Sequence, residues 1–552
     1  MKLKWKIALG LSTTVAMGAL VVSQYWYYLP GLALAIKDPA GPYRPVEWSA
    51  APATSSEQTA DRPPNIILIV ADDLGYNDIS LNGGGVANGA VQTPSIDSIA
   101  QQGVNFARGY AAHATCSPSR AAMMTGRFPT RFGFEFTPTG KAHSKIAAWQ
   151  DKREPVSPWP ITYHSELEAA YDAAGPQEVP KTEIMLPALL QSKGYHTMGL
   201  GKWHLGDSPA SRPEARGFDE YLGFYGGGSM YLASDDPQSV GDIGTHYPAE
   251  KLLWASMPFS VRYNGGKRFS PPKYMTDYLA EEASKAIAAN KNRPFFLYVG
   301  FNAPHAPFQA LKSDYDSLNG ITDHRLRVYA AMVKALDRGV GTVLDAVHAQ
   351  GLDDNTIVIF TSDNGGAAAA GLPDLNKPFR GWKATFYEGG VRVPLLVKWP
   401  SKLKPSVVAS GAASHVDIFA TAANAAGIPM PTDRPMDGVD LVSLARGKTF
   451  PERALFWRSG DYSALLQGDQ KIQRLKRPEK TLLFDLKNDP TEHKNIAATD
   501  TTGLAKMSRL LDAMNAAQAR PLWPSLLEAP MPVDGPINGK YTPKDEYVYW
   551  QN

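Results

Sequence analysis

The chain has 552 residues, with 56 basic and 54 acidic side chains, a formal net charge of +2 and a hydrophobic fraction of 43%. This length provides for one large domain or two, with enough apolar material for a sizeable core. No long block of like charge is present, so the composition gives no indication of a nucleic-acid partner.

The first 36 residues have the pattern of a targeting segment. Lys2, Lys4 and Lys6 precede an apolar run over residues 7–22, and an aromatic cluster follows at residues 25–28. This pattern is typical of a cleaved secretory signal peptide or of an uncleaved membrane anchor, and both remain open. Either one predicts export of the body of the protein, to the periplasm or outside the cell. Residues 37–63, rich in Pro, Ala, Ser and Thr, are predicted to form a linker or surface arm.

The first predicted strand covers residues 65–70 and is apolar throughout, which is typical of a central strand buried on both faces. Asp72 and Asp73 follow directly. A solvated turn is the simplest explanation of one Asp at such a place, but a pair after so apolar a strand is costly unless a positive group binds it. Hard carboxylate oxygens there suit calcium or magnesium.

Cys116, the one cysteine of the chain, stands in the sequence Cys-Ser-Pro-Ser-Arg. A lone cysteine has no internal disulfide partner and is often simply buried. Its polar neighbours, however, predict the first turn of a helix that ends near Gly126. Cys116 would then lie at a helix N-terminus, which favours anions, with Arg120 one turn further along the same face.

Two long segments, residues 127–178 and 207–263, are predicted to be mainly irregular. The first contains His143 and Trp149 and the second is rich in Gly and Tyr. Long insertions of this kind often form the walls of a binding site, and a plain surface excursion is the alternative.

Further ionisable residues follow predicted strands. Lys202 and His204 lie at the end of the short strand that begins at residue 196. His305 comes after the buried strand 294–299, in a loop where a proline stands on either side of it. Asp363 and Asn364 follow the strand 356–360. Each of these motifs is a weak signal alone, because loop histidines and capping Asp or Asn residues are common.

Apolar strands alternate with helices along the chain, which predicts an α/β fold with a large, mostly parallel sheet covered by helices on both faces. Ligands of such sheets bind beyond the carboxyl ends of the strands, where the predicted metal ligands and basic residues meet. After residue 450 short strand-like pieces predict a small antiparallel sheet and a terminal helix. The predicted divisions are therefore a catalytic domain at 64–450 and a C-terminal subdomain at 451–552, and the Pro-rich stretch from Arg520 is expected to wrap the surface.

Several of these motifs together resemble one family. Cys116-Ser117-Pro118-Ser119-Arg120 with Thr125-Gly126-Arg127 is similar to the signature of type I sulfatases of the alkaline-phosphatase-like superfamily. The segments around Asp72, Lys202, His305, Asp363 and Lys383 match the family in the same order, and the resemblance covers roughly residues 64 to 515.

The resemblance implies a mechanism. A maturation enzyme oxidises Cys116 to formylglycine, whose hydrated form is a geminal diol. One hydroxyl attacks sulfur and leaves an enzyme-bound sulfate ester, and the second hydroxyl then expels sulfate. Such a reaction depends on positioning, charge neutralisation and two-step covalent catalysis.

The resemblance also implies the role of each site residue. The calcium ligands would be Asp72, Asp73, Cys116, Asp363 and Asn364, and magnesium would accept the same set. Arg120 would stabilise the diol, and Lys202 and Lys383 would hold sulfate oxygens. His305, with Lys383, would bind the substrate and assist the leaving oxygen, and His204 would act as the base in sulfate elimination.

The resulting hypothesis is an exported sulfatase that removes sulfate from a sulfated carbohydrate, because the aromatic-rich insertions suit a sugar cleft. One alternative is a small-molecule arylsulfatase, and another is a phosphonate or phosphate monoester hydrolase of the same superfamily. A non-catalytic binding protein is disfavoured, since no catalytic position is lost.

Overall fold

The computed structural model describes residues 28–52, 62–155, 157–242, 248–448, 450 and 452–552. Most of the predicted targeting segment and residues 53–61 of the predicted linker lie outside these ranges. The first described helix, Leu29–Lys37, exposes Leu32 by 58% and Ile36 by 75%. Within the described ranges, no helix combines the length and the apolar character needed to cross a membrane.

The strands of the described chain are numbered in chain order. They are β1 (Asn65–Ala71), β2 (Val104–Phe106), β3 (Gly109–Tyr110), β4 (Thr162–Tyr163), β5 (His196–Lys202), β6 (Glu220–Phe224), β7 (Ser239–Asp242), β8 (Arg262–Tyr263), β9 (Phe295–Gly300), β10 (Phe308–Leu311), β11 (Thr356–Ser362), β12 (Leu395–Lys398), β13 (Val407–Ala409), β14 (Ala413–Ser414), β15 (Ala454–Ser459), β16 (Tyr462–Gln467), β17 (Gln470–Lys476), β18 (Glu479–Asp485), β19 (Leu527–Pro532) and β20 (Tyr547–Gln551).

Nine of these strands form the central sheet, in the order β13-β2-β12-β11-β1-β9-β5-β6-β8. The middle strands β11, β1, β9, β5 and β6 run parallel, and β12 is antiparallel to β11. All residues of β1 are buried, as its continuous apolar sequence predicts. The predicted mostly parallel α/β fold is confirmed.

Helices cover both faces of the sheet. Successive residues of β1 belong to different cores: Ile67 and Ile69 pack in one hydrophobic cluster, and Ile66 and Leu68 pack in another. The described helices are Leu29–Lys37, Ser80–Gly83, Val86–Gly89, Pro94–Gln101, Cys116–Thr125, Lys141–Arg153, Glu168–Ala173, Leu186–Gln191, Pro248–Ser256, Met275–Asn290, Lys312–Asp316, His324–Ala349, Glu388–Val391, Val416–Ala425, Leu441–Ala445 and Thr501–Ala516.

The C-terminal part contains the predicted small antiparallel sheet, β15-β16-β17-β18, and the helix Thr501–Ala516 shares a hydrophobic cluster with it. Lys471 of β17 is fully buried and forms ion pairs of 2.8 Å with Glu388 and 3.0 Å with Glu492. The pair with Glu388 joins the small sheet to the segment that carries Lys383. The division of the chain between residues 450 and 451 stays a prediction.

Both insertions expected to be irregular contain regular structure, so that expectation was wrong in part. The first holds the helix Lys141–Arg153 and β4, and the second contributes β6 to the central sheet. The stretch after Arg520 also does more than wrap the surface, because β19 and β20 form a three-stranded sheet with β4. The helix Lys141–Arg153 was not predicted because its buried residues, Ser144, Ala147 and Asp151, are too small or too polar to give a clear amphipathic pattern.

Candidate active site

The carboxyl ends of the central strands bring the predicted acidic residues together. Residues Ala71 of β1 and Ser362 of β11 are paired neighbours, so the chain segments that follow them leave the sheet side by side. Asp72, Asp363 and Asn364 are completely buried there. This arrangement is the expected crevice beyond the strand ends of a parallel sheet.

Cys116 is the first residue of the helix Cys116–Thr125, as the sequence predicts. The helix ends at Gly126, which has φ of 69° and donates its N–H to the Ala122 carbonyl at 2.9 Å. The Cys116 side chain lies at the floor of a cavity, and the residue is only 3% exposed. Burial raises the pKa of its thiol, although Lys202 and Lys383 act in the opposite direction. An unmodified Cys116 is therefore a poor thiolate nucleophile.

Arg120 holds the acidic and basic parts of the site together. Its Nε donates to Asp363 Oδ2 at 2.8 Å, and its Nη1 donates to Tyr298 Oη at 2.5 Å and to the Lys202 carbonyl at 3.2 Å. Its Nη2 is buried without a hydrogen-bond partner among the residues that the structure describes. Tyr298 was not predicted, although a lone hydroxyl in the otherwise apolar strand β9 is the signal that would have found it.

Each lysine of the site lies on a carboxylate. Lys202 Nζ is 2.7 Å from Asp72 Oδ2, and Lys383 Nζ is 2.8 Å from Asp73 Oδ1. With Arg120 beside Asp363, three acidic and three basic groups are paired. Because their formal charges cancel, the site can accept a cation and an anion together at little net electrostatic cost.

The pKa values of two acidic residues of the site, Asp72 and Asp73, are shifted in opposite directions. Burial and the adjacent Asp363 raise the pKa of Asp72. Burial also acts to raise the pKa of Asp73, but Lys383 and His305 outweigh it and hold that pKa well below its usual range. Perturbed carboxylates clustered in a cleft are typical of a functional site.

Both predicted histidines face the cavity. His204 has φ of 62°, an uncommon conformation for a non-glycine residue, and its Nδ1 is buried with no hydrogen-bond partner in the described chain. Burial, together with Lys202 and Arg120, holds the pKa of His204 far below its usual range. His305 Nε2 lies 3.6 Å from Asp73 Oδ2, and burial lowers its pKa although Asp72 and Asp73 oppose this. Both imidazoles are therefore neutral at pH 7.

The donor set fits a hard divalent cation. Oxygen or sulfur atoms of Asp72, Cys116 and Asp363 lie within 4.8 Å of one another, as do ligand atoms of Asp72, Asp73 and His305. Asp72 Oδ1 and Asn364 Oδ1 are buried and accept no hydrogen bond from any described residue. Two orphaned oxygens beside three carboxylates are what an oxygen-preferring cation requires.

His415 is a site-supporting residue that the sequence did not reveal. Its Nδ1 lies 2.8 Å from Ser119 Oγ, and its Nε2 lies 3.0 Å from Thr361 Oγ1. It thus connects the helix that carries Cys116 to β11, and burial lowers its pKa to about 3. Nothing in the local sequence distinguishes it from an ordinary helix-start histidine.

This combination of a parallel sheet, a buried acidic cation site and converging lysines defines a class of enzyme, the hydrolases of anionic esters. The basic groups neutralise the ester anion, and a cation neutralises the charge that develops in the transition state. A family model described as Sulfatase matches residues 64–428, and one described as N-sulphoglucosamine sulphohydrolase, C-terminal, matches residues 380–518. The chain belongs to the sulfatase family and is a sulfuric ester hydrolase.

Curated relatives agree with this membership. The chain is 32% identical to N-acetylgalactosamine-6-sulfatase of Mus musculus over 422 residues, which cover 75% of this chain and 72% of that protein. It is 31% identical to steryl-sulfatase of Mus musculus, over 70% of this chain and 66% of that protein. Among solved structures, Ps i-CgsB in complex with k-i-k-neocarrahexaose superimposes with a TM-score of 0.69 at 32% identity, covering 84% of this chain and 95% of that chain.

Proposed function

We propose that this sulfatase removes sulfate from a sulfated carbohydrate, with residue 116 acting as formylglycine. The observation that carries the proposal is the convergence of Arg120, Lys202 and Lys383 on Cys116 beside the acidic cluster. The carbohydrate assignment is supported by relatives whose names refer to N-acetylgalactosamine-6-sulfatase and by a similar structure whose title names a neocarrahexaose complex.

Residue 116 supplies the nucleophile in this proposal. Formylglycine, produced from Cys116 by a maturation enzyme, provides a hydrated aldehyde whose oxygen attacks the sulfate ester and carries the sulfate until the second hydroxyl expels it. A thiol does not suit this role, because burial raises its pKa and so disfavours the nucleophilic thiolate. The helix N-terminus at Cys116 favours the negative charge on the transferred group.

The basic residues bind and neutralise the sulfate. Lys202 and Lys383 already lie on carboxylates of the metal cluster, so exchanging one anionic partner for another needs only small movements. Arg120 is held by Asp363 and Tyr298, and its Nη2, which makes no hydrogen bond within the described chain, lies 4.0 Å from Asp72 Oδ2. Charge-assisted hydrogen bonds of this kind are about twice as strong as neutral ones.

The histidines move protons. His204 accepts the proton that residue 116 releases when sulfate is expelled, since burial and the adjacent Lys202 keep its imidazole neutral. His305, with Lys383, binds the ester and protonates the leaving oxygen. Burial outweighs the carboxylates of Asp72 and Asp73 and keeps the imidazole of His305 neutral before the substrate binds. The bound sulfate anion then raises its pKa, so that it takes up the proton that it delivers.

Calcium is the cation we assign to Asp72, Asp73, Asp363, Asn364 and residue 116. When bound it supplies positive charge that neutralises the sulfate oxygens and lowers the pKa of the hydroxyl of residue 116. The support is the set of oxygen donors and the two orphaned oxygens described above. Magnesium accepts the same ligands and is the alternative.

We also propose that the protein is exported to the periplasm or beyond, and that the N-terminal segment either is cleaved or anchors it in the membrane. Support comes from the basic residues that precede the apolar run 7–22 and from the exposed Leu32 and Ile36. Cell fractionation tests this: recovery of the full-length chain in the cytosol would contradict it.

The decisive experiment combines mass spectrometry of the Cys116 peptide with sulfate release. We expect a loss of about 18 Da at Cys116, the change from thiol to aldehyde, when a maturation enzyme is co-expressed. We also expect hydrolysis of sulfate esters well above that of the matched phosphate esters. An unmodified thiol in an active enzyme, or a preference for phosphate, would overturn the proposal.

A further inference from the structure

A cavity of about 460 Å³ opens above Cys116 and receives the part of the substrate that remains attached to the leaving oxygen. Its volume is within the usual range for a small-molecule site. Cys116, Lys383 and the two histidines form its floor. The helix Lys141–Arg153 and the sheet β19-β20 form the outer wall. The helix belongs to the insertion 127–178, and the sheet belongs to the stretch after Arg520 that was expected only to wrap the surface.

The outer wall is apolar. Leu527, Ala529, Pro530 and Met531 of β19 line the cavity, and Trp550 of β20, which pairs with Ala529, lines it too. On the opposite side the wall consists of the alanines at 367–370. Flat indole rings and methyl groups suit the C–H face of a sugar ring or an aryl ring.

The charged groups of the wall are unfavourable for a second anion. Within the part of the wall that the structure describes, Lys383 is the one lysine or arginine, and it belongs to the sulfate site. Asp151 and Glu250 also line the cavity. Asp151 accepts the Ile161 N–H at 2.8 Å, and Glu250 is already paired with Arg325 at 3.1 Å.

His143 is the remaining titratable group of the outer wall. It lies one helical turn before Ala147 and two turns before Asp151, on the helix face that lines the cavity. Burial lowers the pKa of its imidazole, so it is a neutral hydrogen-bonding group at pH 7. His143 can therefore form a hydrogen bond with a hydroxyl group of the substrate, but it supplies no positive charge to neutralise a carboxylate or a sulfate.

From this wall, and resting on the proposed function, we infer that the substrate carries a single sulfate on an otherwise uncharged ring with one apolar face. A second sulfate or a carboxylate on the same ring would enter an apolar wall beside Asp151 and Glu250 and lose its hydration without gaining a cation. The cavity thus selects a monosulfated neutral sugar, or an equivalent neutral ring, over a polyanionic unit.

The test compares methyl hexosides sulfated at each single position with their disulfated counterparts, and measures sulfate release by ion chromatography. We expect kcat/KM to favour the best monosulfated compound by about tenfold or more, because a second anion loses its hydration at the wall and gains no cation there. A disulfated or uronate-containing substrate that is hydrolysed faster would overturn the inference while leaving the sulfatase proposal intact. Absence of hydrolysis with all sugars and with an aryl sulfate would overturn both.

A second measurement does not require a converted residue 116. Calorimetric binding of the same sugars to the Cys116→Ala protein should give weaker binding of the disulfated forms. Ala529→Lys should bring their affinity close to that of the monosulfated forms, and Ala529→Met, which has similar length and no charge, should leave the difference unchanged. If Lys and Met at this position act alike, charge at the wall does not determine selection and the inference fails.

Discussion

Arg120 Nε lies 2.8 Å from Asp363 Oδ2, and neither side chain has more than 1% of its surface exposed. This buried pair links the helix of Cys116 to the end of β11. Breaking such a pair leaves an uncompensated buried charge, which is far more costly than losing an exposed ion pair.

Arg120→Ala should therefore lower both stability and activity. We expect the free energy of unfolding to fall by about 3–5 kcal/mol. We also expect kcat to fall about 100-fold or more, because a charged donor to the transition state is lost. Arg131→Ala is the matched control, since Arg131 pairs with Asp437 at 2.6 Å away from the cavity. A control that loses as much kcat as Arg120→Ala would show that the effect is only structural.

Cys116→Ala should abolish turnover and leave the fold intact. The side chain contributes one buried sulfur, and its removal costs about 1 kcal/mol, as for a small buried group. Thermal unfolding followed by circular dichroism measures the fold, and sulfate release measures turnover. Global unfolding of this variant would instead make the residue structural.

Calcium should stabilise the protein through the acidic cluster. At a free concentration 100 times the Kd, a ligand that binds only the folded state adds about 2.7 kcal/mol to the free energy of unfolding. Asn364→Ala removes an orphaned oxygen and should weaken the rise in Tm with calcium. Asp277→Asn removes an acid that pairs with Arg338 at 2.9 Å outside the site, and it should keep the full response. Equal responses of the two variants would argue against the assigned ligands.

Stability should depend on pH through His415. Burial lowers the pKa of its imidazole to about 3 in the folded chain, from an ordinary value of about 6.5. Between about pH 3 and pH 6.5 the unfolded chain therefore binds more protons at His415 than the folded chain does. The contribution of His415 to the free energy of unfolding is fully present above about pH 6.5 and is lost as the pH falls towards 3.

His415 alone should make the free energy of unfolding rise with pH by up to about 1.4 kcal/mol per pH unit between about pH 3 and pH 6.5. His415→Gln should reduce this slope, in denaturant unfolding measured at pH 4, 5 and 6. His348→Gln, at a side chain that is 84% exposed, should leave it unchanged. An unaltered slope in His415→Gln would show that other buried groups account for the acid sensitivity.

The parts of the fold that the sequence predicted share a strong local signal. β1 and β11 each contain a continuous apolar run, and each is followed directly by an acidic residue. An apolar run of this length is typical of a strand that is buried on both faces, and an acidic residue after it is typical of a strand that ends at a polar crevice. The helix start at Cys116 was predicted from its polar neighbours and from Pro118, although the structure buries all of them. The outer wall gave no such signal: Pro530 and Pro532 argue against a strand, yet both lie in β19.

Topology explains why those prolines are tolerated. β4 pairs only with Leu527 and Glu528, so beyond them β19 has one free edge and the prolines need no partner there. Partners so distant in the chain cannot be identified from local pattern. The same is true of His415, whose contacts with Ser119 and Thr361 are tertiary.

The burial of Cys116 has a consequence for the order of events during biosynthesis. With 3% of its surface exposed, the residue is out of reach of another enzyme's active site once the helix Lys141–Arg153 and the sheet β19-β20 have formed the outer wall of the cavity. Because β19 and β20 are synthesised well after the Cys116 segment, a nascent chain exposes that segment until they are complete. If residue 116 acts as formylglycine, as proposed above, an oxidation slower than this interval would leave a folded protein with a thiol at residue 116. The yield of active enzyme would then depend on translation speed as well as on the supply of the maturation enzyme.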